Sequence, residues 1–229
     1  MESHITLPLL VTQGLPPLVM ALLAVAGLIG SGIAVFYGVQ SLRQASLLEN
    51  PIPLQRFGLF DGRAVALIGR PKEAEYVNYN QSYDCVWMHI DWQQFTENRN
   101  NRGWNTVSRE TMKYDFYLED DQGNKVLVVN DATEVHGTKN LKSEGTGKHR
   151  KNMRYLPFNA EITVVGKAVA GQSANSYSLV KDEKLGMLLS GANAAKQAQR
   201  EKLKGLLSLG VTVIAWFSFG IYFLVGLPG

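Results

Sequence analysis

Lys113–Val129 reads KYDFYLEDDQGNKVLVV. Two runs rich in aromatic and β-branched residues flank Asp120–Asn124 (DDQGN), with Gly123 inside the turn. A short polar, glycine-bearing link between two such runs is a β-hairpin signal. The same signature recurs along the chain. Arg63–Gly69 (RAVALIG) is a short apolar run. Cys85–Gln93 (CVWMHIDWQ) alternates and sets Val86, Met88, Ile90 and Trp92 on one strand face. Glu161–Val169 (EITVVGKAV) and Ser176–Lys181 (SYSLVK) form a further pair across Ala170–Asn175. No long amphipathic helix interrupts the series. The expected fold is mainly β, a small barrel or sandwich of six to eight strands.

Outward from this core the composition changes. Hydrophobic residues make up 45% of the 229 and charged residues only 19%, and the apolar ones are concentrated at the two ends. Ile5–Leu42 and Gly205–Gly229 contain no Asp, Glu, Lys, Arg or His. Within them Leu18–Val39 and Leu206–Val225 are long enough to cross a hydrocarbon core of about 30 Å at about 1.5 Å per residue. Residues 1–17 carry no Lys or Arg, which argues against a cleaved signal peptide and for a retained anchor. The expected order is a tail (1–17), a first transmembrane helix (18–39), a juxtamembrane linker (40–53), the β-rich domain (54–185), a connecting helix (186–205) capped by Ser190, a second transmembrane helix (206–225) and a short tail (226–229). Glu49–Pro53 (ENPIP) reads as a stiff, non-helical connection.

All 23 Lys and Arg fall between Arg43 and Lys204. The positive-inside rule then places the β domain in the cytoplasm of a cell-membrane protein, with both termini outside. In the first span Ala26, Gly30, Ala34 and Gly38 recur at every fourth position, a pattern that lets another helix approach closely. The partner helix is the second span or the first span of another copy, so a homo-oligomer is one expected assembly.

These motifs, in this order, resemble the GIDE family, whose domain is also described as lying beside a membrane (BAM). The resemblance rests on Arg63–Gly69, on Cys85-Val86-Trp87, on Phe116–Val129, on Glu161–Lys167 and on Leu185–Ser190 (LGMLLS), and it covers Leu18–Val225. It implies a span, a mostly β domain and a second span. The family's ubiquitin-ligase activity rests on a RING, which needs about eight Cys and His zinc ligands. With one cysteine, Cys85, and four residues after the second span, the chain is expected to lack it. The resemblance also implies that the β domain of a mitochondrial relative faces the intermembrane space, against the orientation read from charge.

Chemistry-bearing motifs are few. The single cysteine excludes a disulfide scaffold and a thiolate zinc site. Cys85 and His89 share a strand face but stand about 13 Å apart, too far for a nucleophile–base pair. His89 reads as a satisfied sheet residue and Cys85 as a buried thiol. No two of the four histidines have ligand spacing, and Gly145–His149 (GTGKH) departs from a phosphate loop at both ends. No catalytic residue, metal site or cofactor is expected. What stands above background is Lys139–Arg154 (KNLKSEGTGKHRKNMR), read as a loop, in which Lys139, Lys142, Lys148, Arg150, Lys151 and Arg154 oppose Glu144 alone. Such a segment suits an anionic lipid surface or an acidic protein partner. A net excess of four basic charges between the spans is too small to point to nucleic acid. The expected function is a binding or assembly module at the membrane surface. The alternative is a membrane-bound component of a ligase system whose catalytic domain lies on another chain. A channel is disfavoured by the absence of charge within either span.

Overall fold

A computed structural model describes residues 17–73, 85–98, 101–140, 144–158, 160–171 and 177–225. The chain divides into two compact units, Gln40–Leu203, and Met1–Val39 together with Lys204–Gly229. Two long helices, α1 (Pro17–Glu49) and α2 (Ala194–Val225), contribute to both.

The larger unit is mainly β. Its strands are β1 (Ala64–Glu73), β2 (Cys85–Asn98), β3 (Asn101–Lys113), β4 (Phe116–Glu119), β5 (Lys125–Val128) and β6 (Glu134–His136). They continue with β7 (Lys139–Asn140), β8 (Glu144–Thr146), β9 (His149–Pro157), β10 (Ile162–Ala170), β11 (Tyr177–Val180) and β12 (Leu188–Ser190). The pairing order β1-β4-β5-β11-β10 closes on itself because β10 also pairs with β1. The result is a five-stranded Greek-key barrel of the OB type, with β5 and β11 as its one parallel pair.

Alternation builds the interior. Phe116 and Leu118 point in from β4, opposite Val128 and Val126 of β5. Val65, Leu67, Ile162, Val164, Ala168 and Leu179 complete the buried lining. The hairpin turn is fixed by Asp120 and by Gly123 at φ +82°. Asp120 Oδ1 accepts hydrogen bonds from the backbone N–H groups of Gln122 and Asn124, each at 2.9 Å. Burial pushes the Asp120 carboxyl up, but hydrogen bonds from Asn124, Gln122 and Gly123 outweigh it and hold the group below the usual range.

Two glycines mark where strands change partners. Gly69 is the last β1 residue paired to β10 before β4 takes over, and a Cβ there would stand 2.6 Å from the Glu119 carbonyl oxygen. Gly166 lies where β10 passes from β12 to β11, and its Cβ would meet the Val180 carbonyl oxygen at 2.7 Å. Close backbone approach is what glycine permits at barrel corners.

The outer side of β1, β10 and β12 is covered by the helix ends of the same unit, where Leu48, Ala66, Val165, Leu188 and Ala198 pack together. Residues 40–49 therefore form helix and not a linker. QSLRQASLLE has no Gly or Pro to break it, and it buries Gln44, Ala45 and Leu48 on one face. Of the expected Glu49–Pro53 connection, Glu49 ends α1 and Asn50–Pro53 is non-helical. The α2 cap is Asn193, whose Oδ1 accepts the Ala195 N–H at 2.9 Å. Ser190, the expected cap, is instead the buried end of β12.

Among the described residues there are twelve strands, more than the six to eight expected, because 134–136, 139–140, 144–146 and 149–157 also pair. A second sheet, in the order β3-β2-β9-β7 with β8 also on β9, lies beside the barrel. Trp87 and Leu156 at its root join the barrel core. Asp131 accepts hydrogen bonds from Lys113 at the end of β3 and from Lys181 just after β11, which hold its carboxyl below the usual range.

Ala24–Glu49 is the one stretch among the described residues that is long and apolar enough to cross a membrane, and its part up to Val39 belongs to the smaller unit. There Ser208 Oγ donates to the Ala34 carbonyl at 2.7 Å, and Gly38 stands against Leu209 and the Gly205 carbonyl. Ala26 and Gly30 are exposed. Of the four, it is Ala34 and Gly38 that meet α2 within this chain. The face turned to α2 carries Ala24, Leu28, Ser31, Ala34 and Gly38, which keeps a spacing close to 3.5.

Candidate binding face

The two longest strands, β2 and β3, make one hairpin, in register from Trp87↔Lys113 to Asn98↔Asn101. A bulge between Trp92 and Gln93 lets Val107 out of the ladder and leaves it exposed. β9 pairs along the other edge of β2 and brings His89 opposite Arg154, Asp91 opposite Asn152 and Gln93 opposite Arg150. The strand period of two then places Trp87, His89, Asp91, Gln93 and Phe95 on one face, with Arg150, Asn152 and Arg154 beside them.

Polar groups on that face hold one another. Asp91 lies 3.3 Å from His89 Nε2, 3.3 Å from Arg109 Nε and 3.8 Å from Arg154 Nη2. His89 Nδ1 lies 2.8 Å from Thr111 Oγ1, and its ring stacks on Trp87 at 5.9 Å. Gln93 Oε1 accepts from Arg150 Nε at 2.8 Å and from Asn152 Nδ2 at 2.9 Å. The Arg150 guanidinium lies over the Trp104 ring at 4.2 Å, and Trp104 meets Phe95 edge-on at 5.3 Å. Arg102 lies over Phe95 at 5.9 Å, and on the opposite face Lys151 stands 6.0 Å from Trp92. Cation–π pairs of this kind contribute about 0.5–1 kcal/mol each where exposed. The Arg150 guanidinium is thus held from two sides, by the Trp104 ring and by the Gln93 carbonyl oxygen.

The opposite face packs Cys85, Met88, Ile90 and Met153 against Met112, Tyr114 and Tyr155. Cys85 is a buried thiol, as the sequence led one to expect. Val86 leaves the Met88–Ile90 side and joins the barrel core, because the register with β9 shifts between Cys85 and Trp87.

The basic segment is not a loop. Lys139 lies on β7, Lys148 in the Gly147-Lys148 turn between β8 and β9, and Arg150, Lys151 and Arg154 on β9. Lys142 lies outside the described residues. Charged side chains hid the strand because β9 is paired mainly through its backbone, with only Met153, Leu156 and Tyr155 as apolar punctuation. Phe95, Trp104, Arg102 and Gln93 were not singled out from sequence. Trp104 follows the polar TENRNNRG segment, and its meeting with Arg150 depends on a pairing between distant strands.

No family model, no curated protein and no solved structure matches this chain. The GIDE likeness therefore rests on the motifs quoted above.

Proposed function

We propose that this chain is a two-span membrane protein whose β-rich unit is a binding module for the anionic surface of a membrane. The observation that carries the reading is the Arg150–Trp104 pair with its neighbours Arg102 and Arg154, a cationic and aromatic face built on paired strands, with Lys151 beside Trp92 on the other side of the same sheet. Aromatic rings with a polar edge and basic side chains are the residue types that favour a lipid headgroup region. A chain held by an apolar helix keeps its own basic face at high effective concentration near lipid. Each Lys or Arg close to an anionic leaflet contributes about 1 kcal/mol. The second span is supported by the exposed apolar side chains of α2, among them Leu206, Leu207, Val211, Ile214 and Phe217. The GIDE likeness supports the same architecture. In this reading the module is cytoplasmic and does no chemistry of its own.

Full-length protein held in neutral-lipid nanodiscs is expected to be captured by vesicles containing anionic lipid and not by neutral vesicles. Capture should weaken steeply between about 0.1 and 0.5 M salt, since the Debye length falls from about 10 Å toward 4 Å. Equal capture by both vesicle types would remove the basis of the reading. Orientation is tested by impermeant thiol labelling of intact cells in a Cys85→Ser background. Glu2→Cys is expected to label and Val107→Cys is not; the reverse would place the module outside.

A further inference from the structure

We propose that Glu134, His136 and Glu201 form a binding site for a first-row divalent metal ion, of which Zn²⁺ is the probe used below. The sequence hides this cluster, because two of the residues stand 65 or more positions from the third. Glu134 and His136 are two apart on β6, so the strand period turns both side chains to one face. β6 runs parallel to β12, with Glu134 opposite Leu188 and His136 opposite Ser190. The strand is pinned at its end, where the Gly191 N–H donates to the His136 carbonyl at 3.0 Å. The next residue, Gly137, has φ +65°, and a Cβ there would run into the Ala192 nitrogen, so the chain turns tightly against the start of α2. That turn brings Glu201, on the second turn of α2, over the β6 side chains.

The three residues offer one imidazole nitrogen and two carboxylate oxygens, all within 4.8 Å of one another. A tetrahedral zinc with bonds of about 2.0–2.1 Å holds its ligand atoms about 3.3–3.4 Å apart. His136 Nε2 lies 3.4 Å from Glu134 Oε2 and 4.0 Å from Glu201 Oε1, and with all three ligand atoms within 4.8 Å the set has to draw together by about 1 Å to hold zinc. The donor set, one nitrogen and two oxygens, suits zinc and other first-row divalent ions. The two carboxylates bring charge of −2, which a divalent ion balances.

Burial sharpens the case. Glu201 is 1% exposed, so its carboxylate is held among protein groups and not by bulk water. It is also oriented: Gln197, 2% exposed, donates from Nε2 to Glu201 Oε1 at 2.9 Å. Hydrogen bonding of a ligating carboxylate by a buried neighbour is the outer-shell arrangement that metal sites use to fix ligand direction. The bound ion would tie the base of α2 to the β6–β12 sheet edge, and a fourth position would remain for water.

The test uses the full-length, untagged chain in nanodiscs, stripped with a chelator and titrated with Zn²⁺ against a chromophoric competitor. One ion per chain is expected. His136→Ala should weaken binding at least tenfold, and Gln197→Leu by about 10-fold or more, the range that outer-shell losses produce. Glu134→Gln should also weaken it at least tenfold, and since that side chain is 45% exposed the substitution leaves folding intact and decides the matter if His136→Ala does not fold. Absence of saturable Zn²⁺ binding to the wild-type chain would overturn the proposal. Unchanged affinity in Glu134→Gln would overturn it equally, and would leave the cluster as an ion-pair group only.

Discussion

Converting Lys148, Arg150, Lys151 and Arg154 together to glutamine is expected to weaken binding to anionic vesicles by about 30- to 1000-fold. At about 1 kcal/mol for each charge near an anionic leaflet, four removals approach 4 kcal/mol. Arg154 already shares Asp91 with Arg109 and His89, and Arg150 is committed to Gln93 and Trp104, so the lower part of the range, about 2 kcal/mol, allows for charge neutralised within the fold. The variant should still fold. Asp91 keeps Arg109 and His89 as neighbours when Arg154 is lost, and β9 stays paired to β2 through its backbone. A second variant separates position from net charge. Neutralising Arg56, Arg63, Lys72 and Lys125, all exposed outside the second sheet, removes the same charge and should change binding by less than about threefold. Titration of both variants with vesicles of fixed anionic content gives the comparison. Equal losses would mean that only net charge matters.

Phe116→Ala is expected to lower the stability of the β-rich unit by about 3–5 kcal/mol. Its ring is fully buried at the centre of the barrel, opposite Val128 and within the cluster that includes Leu118, Val126 and Val164. The strands around it close on themselves, so relaxation into the space is limited and a cavity remains. A loss of that size is a large share of the 5–15 kcal/mol that holds a typical domain together. Leu59→Ala is the matched control. Leu59 is 78% exposed, and its loss should stay within about 0.5 kcal/mol. Urea unfolding of the full chain in nanodiscs, followed by tryptophan emission, reads both, because Trp87 sits in the same core. A change below about 1 kcal/mol for Phe116→Ala would show that the barrel is not packed around this ring.

How much of this was legible in the residues follows from how local each signal is. The β4–β5 hairpin was, since Asp120 and Gly123 write the turn and Phe116, Leu118, Val126 and Val128 write the inward face. The β10–β11 pair was legible for the same reason. Barrel closure was not. The β1–β10 and β5–β11 pairings join strands far apart in sequence, and nothing near Val65 or Leu127 names its partner. Gly69 and Gly166 were inside quoted strands, yet their meaning appears only when a carbonyl from another strand approaches. The basic segment was found by charge, but charge conceals a strand whose outer side is solvated. Its aromatic partners Trp104 and Phe95 come from a different hairpin. The Glu134–His136–Glu201 cluster depends on a parallel pairing and a helix start, which sequence spacing does not report.

The central claim is that the cationic and aromatic face lies against the anionic bilayer in which the chain itself is anchored. Amide hydrogen exchange of the unmodified full-length protein tests it, in nanodiscs of anionic and of neutral lipid. Among the described residues β3 is an edge strand, so amides in 102–107 depend on what covers that edge more than central strands do. The account predicts slower exchange across 102–107 and at the Gly147-Lys148 turn in anionic discs, with the β4–β5 hairpin unchanged between the two. Identical exchange in both lipids across these segments would contradict it.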